Sequence, residues 1–152
     1  MKIYKAQKCS IETVKSIAHD TINSVFPHYY PHGAVEFFLH HHREENILRD
    51  IEAGDVFLIN DGNADVGTVT VNGNEINRLF VLLEFQGKGY GKCLMEFAEK
   101  LVAEKYDCAE LSASLSAKKI YLKNGYIETE YHIIDCENGD KLCFDYILIP
   151  QN

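Results

Sequence analysis

The chain has no tryptophan, only three prolines and no Cys-x-x-Cys pair. Its five cysteines are odd in number and widely scattered, at Cys9, Cys93, Cys108, Cys136 and Cys143. Neither a disulfide framework nor a zinc knuckle is therefore indicated, and buried or idle thiols are expected. No segment approaches the ~20 apolar residues of a membrane span, and no long apolar run follows the first lysines. These absences predict a cytoplasmic protein without a membrane segment.

Basic side chains are also scarce. Lys and Arg number 15 against 23 Asp and Glu, which gives a formal net charge of −8. Because contact with phosphates relies on clustered Lys and Arg, this balance disfavours a nucleic-acid-binding surface. It suits a cationic partner better, since net charge governs long-range attraction.

The length and composition are those of one globular domain. The chain has 152 residues, of which 46% are hydrophobic and 25% charged, and a chain of this size can bury a substantial core. We find no internal repeat and no low-complexity linker. A single domain over residues 1–152 is therefore predicted.

The first part of the chain predicts one strand and then helices. Residues 3–6 favour a short strand, and Ser10 suits the N-cap of the helix that follows. One face of that helix recurs at helical spacing, through Val14, Ile17, Ala18, Thr21 and Val25. A proline-bounded aromatic loop at 27–33 then leads to two helical stretches, around 35–39 and 47–51.

The rest of the chain predicts strands and two helices. Three antiparallel strands are expected at 56–59, 66–71 and 76–83, because Asp61-Gly62 and Asn72-Gly73 supply the positive φ angles of tight hairpins. The later elements are a helix at 92–102, a strand at 109–114, a short helix at 116–123 with Gly125 as its C-cap, and strands at 126–134 and 142–149 joined by a turn at 137–140. Periodicity alone indicates an α/β or α+β fold.

One glycine loop carries the clearest chemical meaning. Its sequence is Gln86-Gly87-Lys88-Gly89-Tyr90-Gly91, between a predicted strand and a predicted helix. Alternate glycines allow the backbone to turn sharply and to approach a ligand closely. The first amides of the helix are unpaired and its dipole adds roughly half a positive charge, to which Lys88 and Lys92 add full charges. A diphosphate is the expected guest, and a glycine-rich helix entry without a ligand is the alternative.

Two familiar phosphate loops do not fit this spacing. A Walker loop needs four residues between its glycines and a Ser or Thr after the Lys, whereas Lys92 is followed by Cys93. A dinucleotide fingerprint needs two residues between its second and third glycines, whereas this loop has one and lies past the middle of the chain. Neither class of nucleotide site is predicted.

The remaining pattern, Gln-x-x-Gly-x-Gly after a strand, resembles the acetyl-CoA pyrophosphate loop of the GNAT-type N-acetyltransferases. The order of predicted elements resembles the GNAT fold over nearly the whole chain. The resemblance implies a mixed, mostly antiparallel α+β sheet of about seven strands flanked by about four helices. In that fold the fourth and fifth strands splay apart, and the pantetheine arm of acetyl-CoA lies in the gap.

The resemblance also implies the cofactor contacts. The backbone of Leu79, Phe80 and Val81 would pair with the pantetheine arm, and the amides and side chains of residues 86–92 would hold the pyrophosphate. An amide near Val81 is the candidate donor to the thioester carbonyl oxygen. No metal is expected.

Two stretches resemble the catalytic positions of the family. The run from Ala117 to Tyr126 matches Ala-x-x-x-Tyr-x-x-x-Gly-(Phe/Tyr), which places Tyr121 as the acid for the leaving thiolate. A phenol that titrates near pH 10 stays protonated at neutral pH and can donate. The family often has Asn seven residues earlier, where this chain has Ser114, a shorter candidate for contact with the cofactor arm.

Glu75 lies eleven residues before Gln86, a spacing that resembles the catalytic Glu of the histone-type members. Strand alternation predicts that it shares a face with Asn77, Leu79 and Val81. A solvated carboxylate after the hairpin turn is the alternative, and a water relay is another route for the proton. Further titratable candidates are His32, Glu36, His40, His41 and His42. Consecutive helical histidines point about 100° apart, so surface histidines are expected rather than metal ligands.

These features predict an acetyl-CoA-dependent N-acetyltransferase that acts on a primary amine. A CoA-binding sensor or interaction module without chemistry is the alternative, and a plain α/β domain without a cofactor is the third. The sequence does not select among the amine acceptors. Homodimer formation by edge pairing of the last strands is left open.

Overall fold

The computed structural model of the protein describes residues 1–113, 117–135 and 141–150. Within these ranges five α-helices lie at Ile11–Val25 (α1), His32–His41 (α2), Glu44–Glu52 (α3), Tyr90–Ala103 (α4) and Lys118–Lys123 (α5). Seven strands lie at Lys2–Lys5 (β1), Val56–Asn60 (β2), Asp65–Asn72 (β3), Glu75–Val81 (β4), Cys108–Ala113 (β5), Ile127–Asp135 (β6) and Lys141–Pro150 (β7).

The predicted order of elements is confirmed, and two of the boundaries that differ from the prediction lie beside the glycine loop. Strand β4 ends at Val81, because the chain turns into a 3-10 helix at Leu83–Phe85. Helix α4 begins two residues earlier than predicted, because Gly89 adopts a φ of 93° and takes the N-cap position. The predicted turn at 137–140 lies outside the described residues.

The strands form one mixed sheet in the order β1-β2-β3-β4-β5-β7-β6. Every strand pairing in the described sheet is antiparallel except that between β4 and β5. The β2–β3 and β3–β4 hairpins turn at Gly62 and Gly73, the glycines at which the sequence predicted turns. The GNAT-like fold expected from the sequence is confirmed.

Strands β4 and β5 touch only briefly. They pair at Glu75 with Glu110 and at Ile76 with Leu111, and no further pairing between them is found in the described chain. Strand β4 continues to Val81 with a partner on its β3 side, while β5 is paired with β7 along its whole length. The fourth and fifth strands therefore separate after Ile76 and leave a gap in the sheet.

A β-bulge interrupts β4 beside this gap. Thr68 pairs with Phe80 and Thr70 with Asn77, so β4 carries one residue more than β3 across this step. Arg78 lies within the bulge at a φ of 48°, the one non-glycine residue with positive φ in the described chain. The strand alternation therefore changes phase at Arg78.

Two layers of helix cover the sheet. On one face, α4 contributes Leu94, Ala98 and Val102 to a core that also contains Ile76 and Val81. On the other face, α1, α2 and α3 pack over two further apolar clusters, which partly bury Phe80. The glycine loop lies at the end of β4, between this sheet and the first turn of α4.

Candidate active site

The glycines of the loop hold conformations that favour glycine. Gly87 and Gly89 have φ angles of 77° and 93°, and a Cβ at either position would meet nothing within 4 Å. The requirement for glycine is therefore conformational rather than steric, and the space beside both residues is open. Gly91 is helical, and its Cβ would lie 3.8 Å from Val81 Cγ2, an ordinary contact.

The loop presents unpaired donors and positive charge. Within the described chain the backbone amides of residues 87–92 donate to no protein acceptor, and the amide of Cys93 is the first that does, to Gly89. The side chains of Lys88 and Lys92 are exposed, and neither forms an ion pair with a described residue. A row of free amides at a helix N-terminus beside two exposed ammonium groups fits a diphosphate.

Two aromatic side chains beside the glycine loop pack against the core and support the loop. The Lys88 ammonium lies 5.4 Å from the centre of the Phe85 ring, and the Phe85 and Tyr90 rings meet edge to face with centroids 6.3 Å apart. Phe85 and Tyr90 both pack against the α4 core. Tyr90, a predicted cofactor contact, therefore also has a structural role.

Two amides of β4 point into the gap. Leu82 donates its amide to Val66 of β3, and antiparallel pairing alternates, so Phe80 faces β3 as well. The amides of Leu79 and Val81 consequently point away from β3, toward the side where β5 has separated. Of the three residues predicted to contact the cofactor through their backbone, Leu79 and Val81 direct their amides to the gap, whereas Phe80 directs its amide to β3.

Glu75 lies where β4 and β5 still pair, but not on the predicted face. Leu79 and Val81 pack with Ile76 in the α4 core. Because of the bulge, their side chains therefore lie on the other face of the sheet from those of Glu75 and Asn77. The expectation that all four share one face is wrong, because the extra residue reverses the alternation. Burial raises the pKa of Glu75, and the Glu110 and Asp50 carboxylates add to this, against a hydrogen bond from Asn77.

Tyr121 is positioned by the short helix α5. Its ring lies 5.4 Å from that of Tyr126 and packs against the α4 core. Burial raises the pKa of Tyr121 to about 12. Among the described residues its hydroxyl has no hydrogen-bond partner, whereas the Tyr126 hydroxyl donates to Glu99. A partly buried phenol whose hydroxyl bonds no described residue has a proton available for a ligand.

The other predicted candidates are dispersed. Ser114 lies outside the described residues. His32 and Glu36 form an exposed pair 4.0 Å apart on α2. His42 is buried, so the prediction of surface histidines is wrong for this residue, whereas His40 and His41 are exposed. In the part of the chain that is described, no group of three or more His, Cys, Asp and Glu side chains could hold a metal.

His42 belongs to a buried polar cluster that the sequence analysis missed. Arg78 Nη2 lies 3.0 Å from Asp50 Oδ2, and Arg78 also donates from Nε to His42 Nδ1 at 3.1 Å and from Nη1 to Thr70 Oγ1 at 2.9 Å. The backbone carbonyl of His42 lies within hydrogen-bond distance of the ring nitrogen Nε2 of His19. The available signal was an arginine within an apolar strand run.

A cleft of about 290 Å³ lies beside the end of β4. It is lined by Asp20, Asn23, Ser24, Leu82, Leu83 and Glu84. Two carboxylates and no basic side chain face it, so its charge suits a cation.

The sequence matches a family model described as an acetyltransferase (GNAT) domain over residues 25–138, three quarters of the chain. The protein therefore belongs to the GNAT acetyltransferase family. Acetyl-CoA, expected from the glycine loop, is the acyl donor of this family. No curated protein sequence matches the chain significantly.

Solved structures share the fold across nearly the whole chain. A GCN5-related N-acetyltransferase from Rhodopseudomonas palustris is similar at a TM-score of 0.89 and 18% identity, covering 99% of this chain and 95% of the other. PaiA N-acetyltransferase from Thermoplasma acidophilum, in complex with coenzyme A, gives 0.73 and 19%, covering 99% and 98%. YncA from Salmonella typhimurium, with its cofactor acetyl-CoA, gives 0.73 and 14%, covering 100% and 94%. At these identities the likeness concerns the fold.

None of the helices in the described ranges is long and apolar enough to cross a membrane.

Proposed function

We propose that the protein is an N-acetyltransferase that moves an acetyl group from acetyl-CoA to a primary amine by direct transfer in a ternary complex. The observation that carries this proposal is the gap after Ile76, where the Leu79 and Val81 amides face an opening that leads to the free amides of the glycine loop. An extended arm bearing a diphosphate would satisfy both sets of donors. Acetyl-CoA, when bound, supplies the acetyl group as an activated thioester.

The backbone of β4 would hold and polarise the donor. The Leu79 and Val81 amides would pair with the arm and donate to the carbonyl oxygen, where charge develops during transfer. Residues 86–92 would hold the diphosphate through their amides, with Lys88 and Lys92 supplying charge. The side chains of Leu79 and Val81 meanwhile remain in the α4 core.

Glu75 and Tyr121 would handle the two protons. Tyr121 packs on the α4 face of the sheet, and Glu75 lies on the opposite face, within the influence of Asp50 of α3. Direct transfer needs a base on the amine side and an acid for the thiolate, so placement on opposite faces supports these roles. Four residues of strand, about 13 Å, separate Glu75 from Leu79, and a relay of several waters would therefore complete the base's reach.

The acidic cleft supports an amine as acceptor. Asp20 and Glu84 line it, and the chain carries a net charge of −8, so protonated amines would be attracted to this surface. A cytoplasmic location remains a prediction from the sequence.

Thermal unfolding with acetyl-CoA tests the proposal. At about a hundredfold its Kd, the ligand should stabilise by ~2.7 kcal/mol, which raises Tm by about 5 to 10 °C. Gly89→Glu should abolish this shift. Gly62→Glu is the matched control, because Gly62 also has positive φ and an open Cβ position but lies in the β2–β3 turn.

Transfer is then measured as CoA thiol release with a panel of amines. A thermal shift in wild type and Gly62→Glu, lost in Gly89→Glu and accompanied by thiol release, supports the enzyme. Binding without thiol release for any amine would favour the sensor instead. No shift at saturating acetyl-CoA would refute donor binding.

A further inference from the structure

The bulge in β4 decides which amides face the gap. Before it, the Asn74 carbonyl accepts from Glu110 of β5, so even-numbered residues up to Ile76 face β5. After it, the odd-numbered Leu79 and Val81 face that side. In a regular strand the amide of Phe80 would point into the gap, and the two others would pair with β3.

The residue that makes the bulge has no intrinsic preference for it. A backbone φ of 48°, as found at Arg78, is uncommon for residues other than glycine, asparagine and aspartate. Such a conformation persists when its surroundings hold it. The surroundings at this point are polar contacts to the Arg78 side chain.

Three elements fix the Arg78 guanidinium. Asp50 of α3 holds Nη2 at 3.0 Å, Thr70 of β3 accepts from Nη1 at 2.9 Å, and His42 at the end of α2 accepts from Nε at 3.1 Å. The side chain of Arg78 is only 3% exposed. Because the guanidinium is a rigid planar fork, three contacts of this kind define its position and orientation.

We propose that Arg78 is a positioning residue for acetyl transfer: its anchored side chain holds the bulge that points the Leu79 and Val81 amides into the gap. This inference rests on the proposed function. It assigns to α2 and α3, which lie away from the glycine loop, control over how the thioester carbonyl is polarised. An anchor that served stability alone would leave the direction of these amides unchanged.

Two variants remove the anchor in different ways. Arg78→Gly keeps a residue that adopts positive φ freely but deletes the side chain, so it separates backbone preference from anchoring. Asp50→Asn keeps the side-chain shape and removes the charge that faces Arg78. Val102→Ala is the control, since Val102 is buried near the end of α4, on the face of the sheet opposite the Arg78 cluster, and its truncation should destabilise the core without removing any contact to Arg78.

The measurements are amide resonances of the ligand-free protein, the Kd for CoA, and kcat with the amine identified in the panel. In both anchor variants we expect the Leu79 and Val81 resonances to move, kcat to fall tenfold or more, and the Kd for CoA to rise by a smaller factor than kcat falls. The glycine loop is intact, which preserves the part of CoA binding that depends on the diphosphate. Val102→Ala should leave kcat unchanged and should not reverse the direction of these amides.

Unmoved Leu79 and Val81 resonances, or a loss of kcat no larger than in Val102→Ala, would overturn this inference and leave the proposed function standing. If Arg78→Gly does not fold, Asp50→Asn alone decides between these outcomes. Failure of the wild type to bind acetyl-CoA would overturn both proposals.

Discussion

The side-chain amide of Gln86 donates to the backbone carbonyl of Val81 over 2.9 Å. It thereby ties the first residue of the glycine loop back to the last residue of β4. The same carbonyl is 3.5 Å from the hydroxyl of Thr21 in α1, a longer contact, since that hydroxyl bonds Ile17 at 2.7 Å. Loop and strand are therefore coupled mainly through Gln86.

Replacing Gln86 with leucine should loosen the loop from β4 and weaken acetyl-CoA binding. A hydrogen bond of this type contributes about 1 kcal/mol, or about fivefold in Kd. Titration calorimetry measures the change. Thr21→Val removes the longer contact to the same carbonyl and should alter Kd by less than about twofold; equal effects in the two variants would contradict this assignment.

Removal of the Tyr121 hydroxyl should separate activity from stability. Because this hydroxyl has no described partner, Tyr121→Phe should change the free energy of unfolding by less than about 0.5 kcal/mol, while kcat falls about a hundredfold. Tyr126→Phe is the comparison, since its hydroxyl bonds Glu99, and it should cost about 1 to 2 kcal/mol. A Tyr121→Phe variant with full kcat for every accepted amine would show that the acid is another group.

The rate should depend on pH through Glu75. A base must be deprotonated to act, so kcat/KM should fall as pH drops through the pKa of Glu75, which burial raises above its usual 4.5. Glu75→Gln should lower the rate and flatten this limb. Glu110→Gln removes a neighbouring carboxylate that raises the same pKa, and it should move the limb to lower pH. An unchanged limb in both variants would exclude Glu75 as the base.

Two glycines near β4 should respond oppositely to alanine. A Cβ on Gly67 would lie 3.0 Å from both Ile59 Cγ2 and the Phe80 carbonyl oxygen, so Gly67→Ala should destabilise by about 1 to 3 kcal/mol. Gly91→Ala makes an ordinary contact in a helix and should stabilise by about 0.5 to 1 kcal/mol. Urea unfolding measures both; similar losses in the two variants would refute the steric argument.

Stability should fall in mild acid because of His42. Burial, with Arg78, lowers the pKa of this imidazole well below 6.5. Below pH 6.5 the unfolded chain therefore binds a proton that the folded chain does not, and the free energy of unfolding decreases by up to about 1.4 kcal/mol per pH unit. His42→Gln should reduce this slope between about pH 5 and 6.5 and leave the part due to His41, whose pKa is also lowered by partial burial. His32→Gln, on the exposed part of α2, should retain the whole slope.

The order of elements was accessible from sequence because each depends on local signals. Periodic apolar residues such as Val14 and Ile17 define helix faces, and glycines such as Gly62 and Gly73 define the hairpins. The loop at 86–91 was predictable for the same reason, since its conformation depends on glycines that lie within it. These signals were sufficient for the family and for most of the fold.

The geometry of β4 was not accessible in this way. Neither glycine nor proline marks the bulge, because Arg78 is held there by Asp50 and His42, which lie 28 and 36 residues earlier in the chain. The strand end was misplaced because Leu82 and Leu83 continue the apolar run, although Leu83 is exposed in a 3-10 turn. Tertiary contacts decided both features.

The gap between β4 and β5 also divides the sheet mechanically. Four strands on one side and three on the other are joined within the described sheet by two residue pairs. An arm that paired with Leu79 and Val81 would take the place of the missing length of strand. The two parts, which already share the core under α4, would then be joined along more of the sheet when acetyl-CoA is abundant than when it is scarce, so that the metabolite would set the mechanical continuity of the sheet as well as the chemistry of the protein.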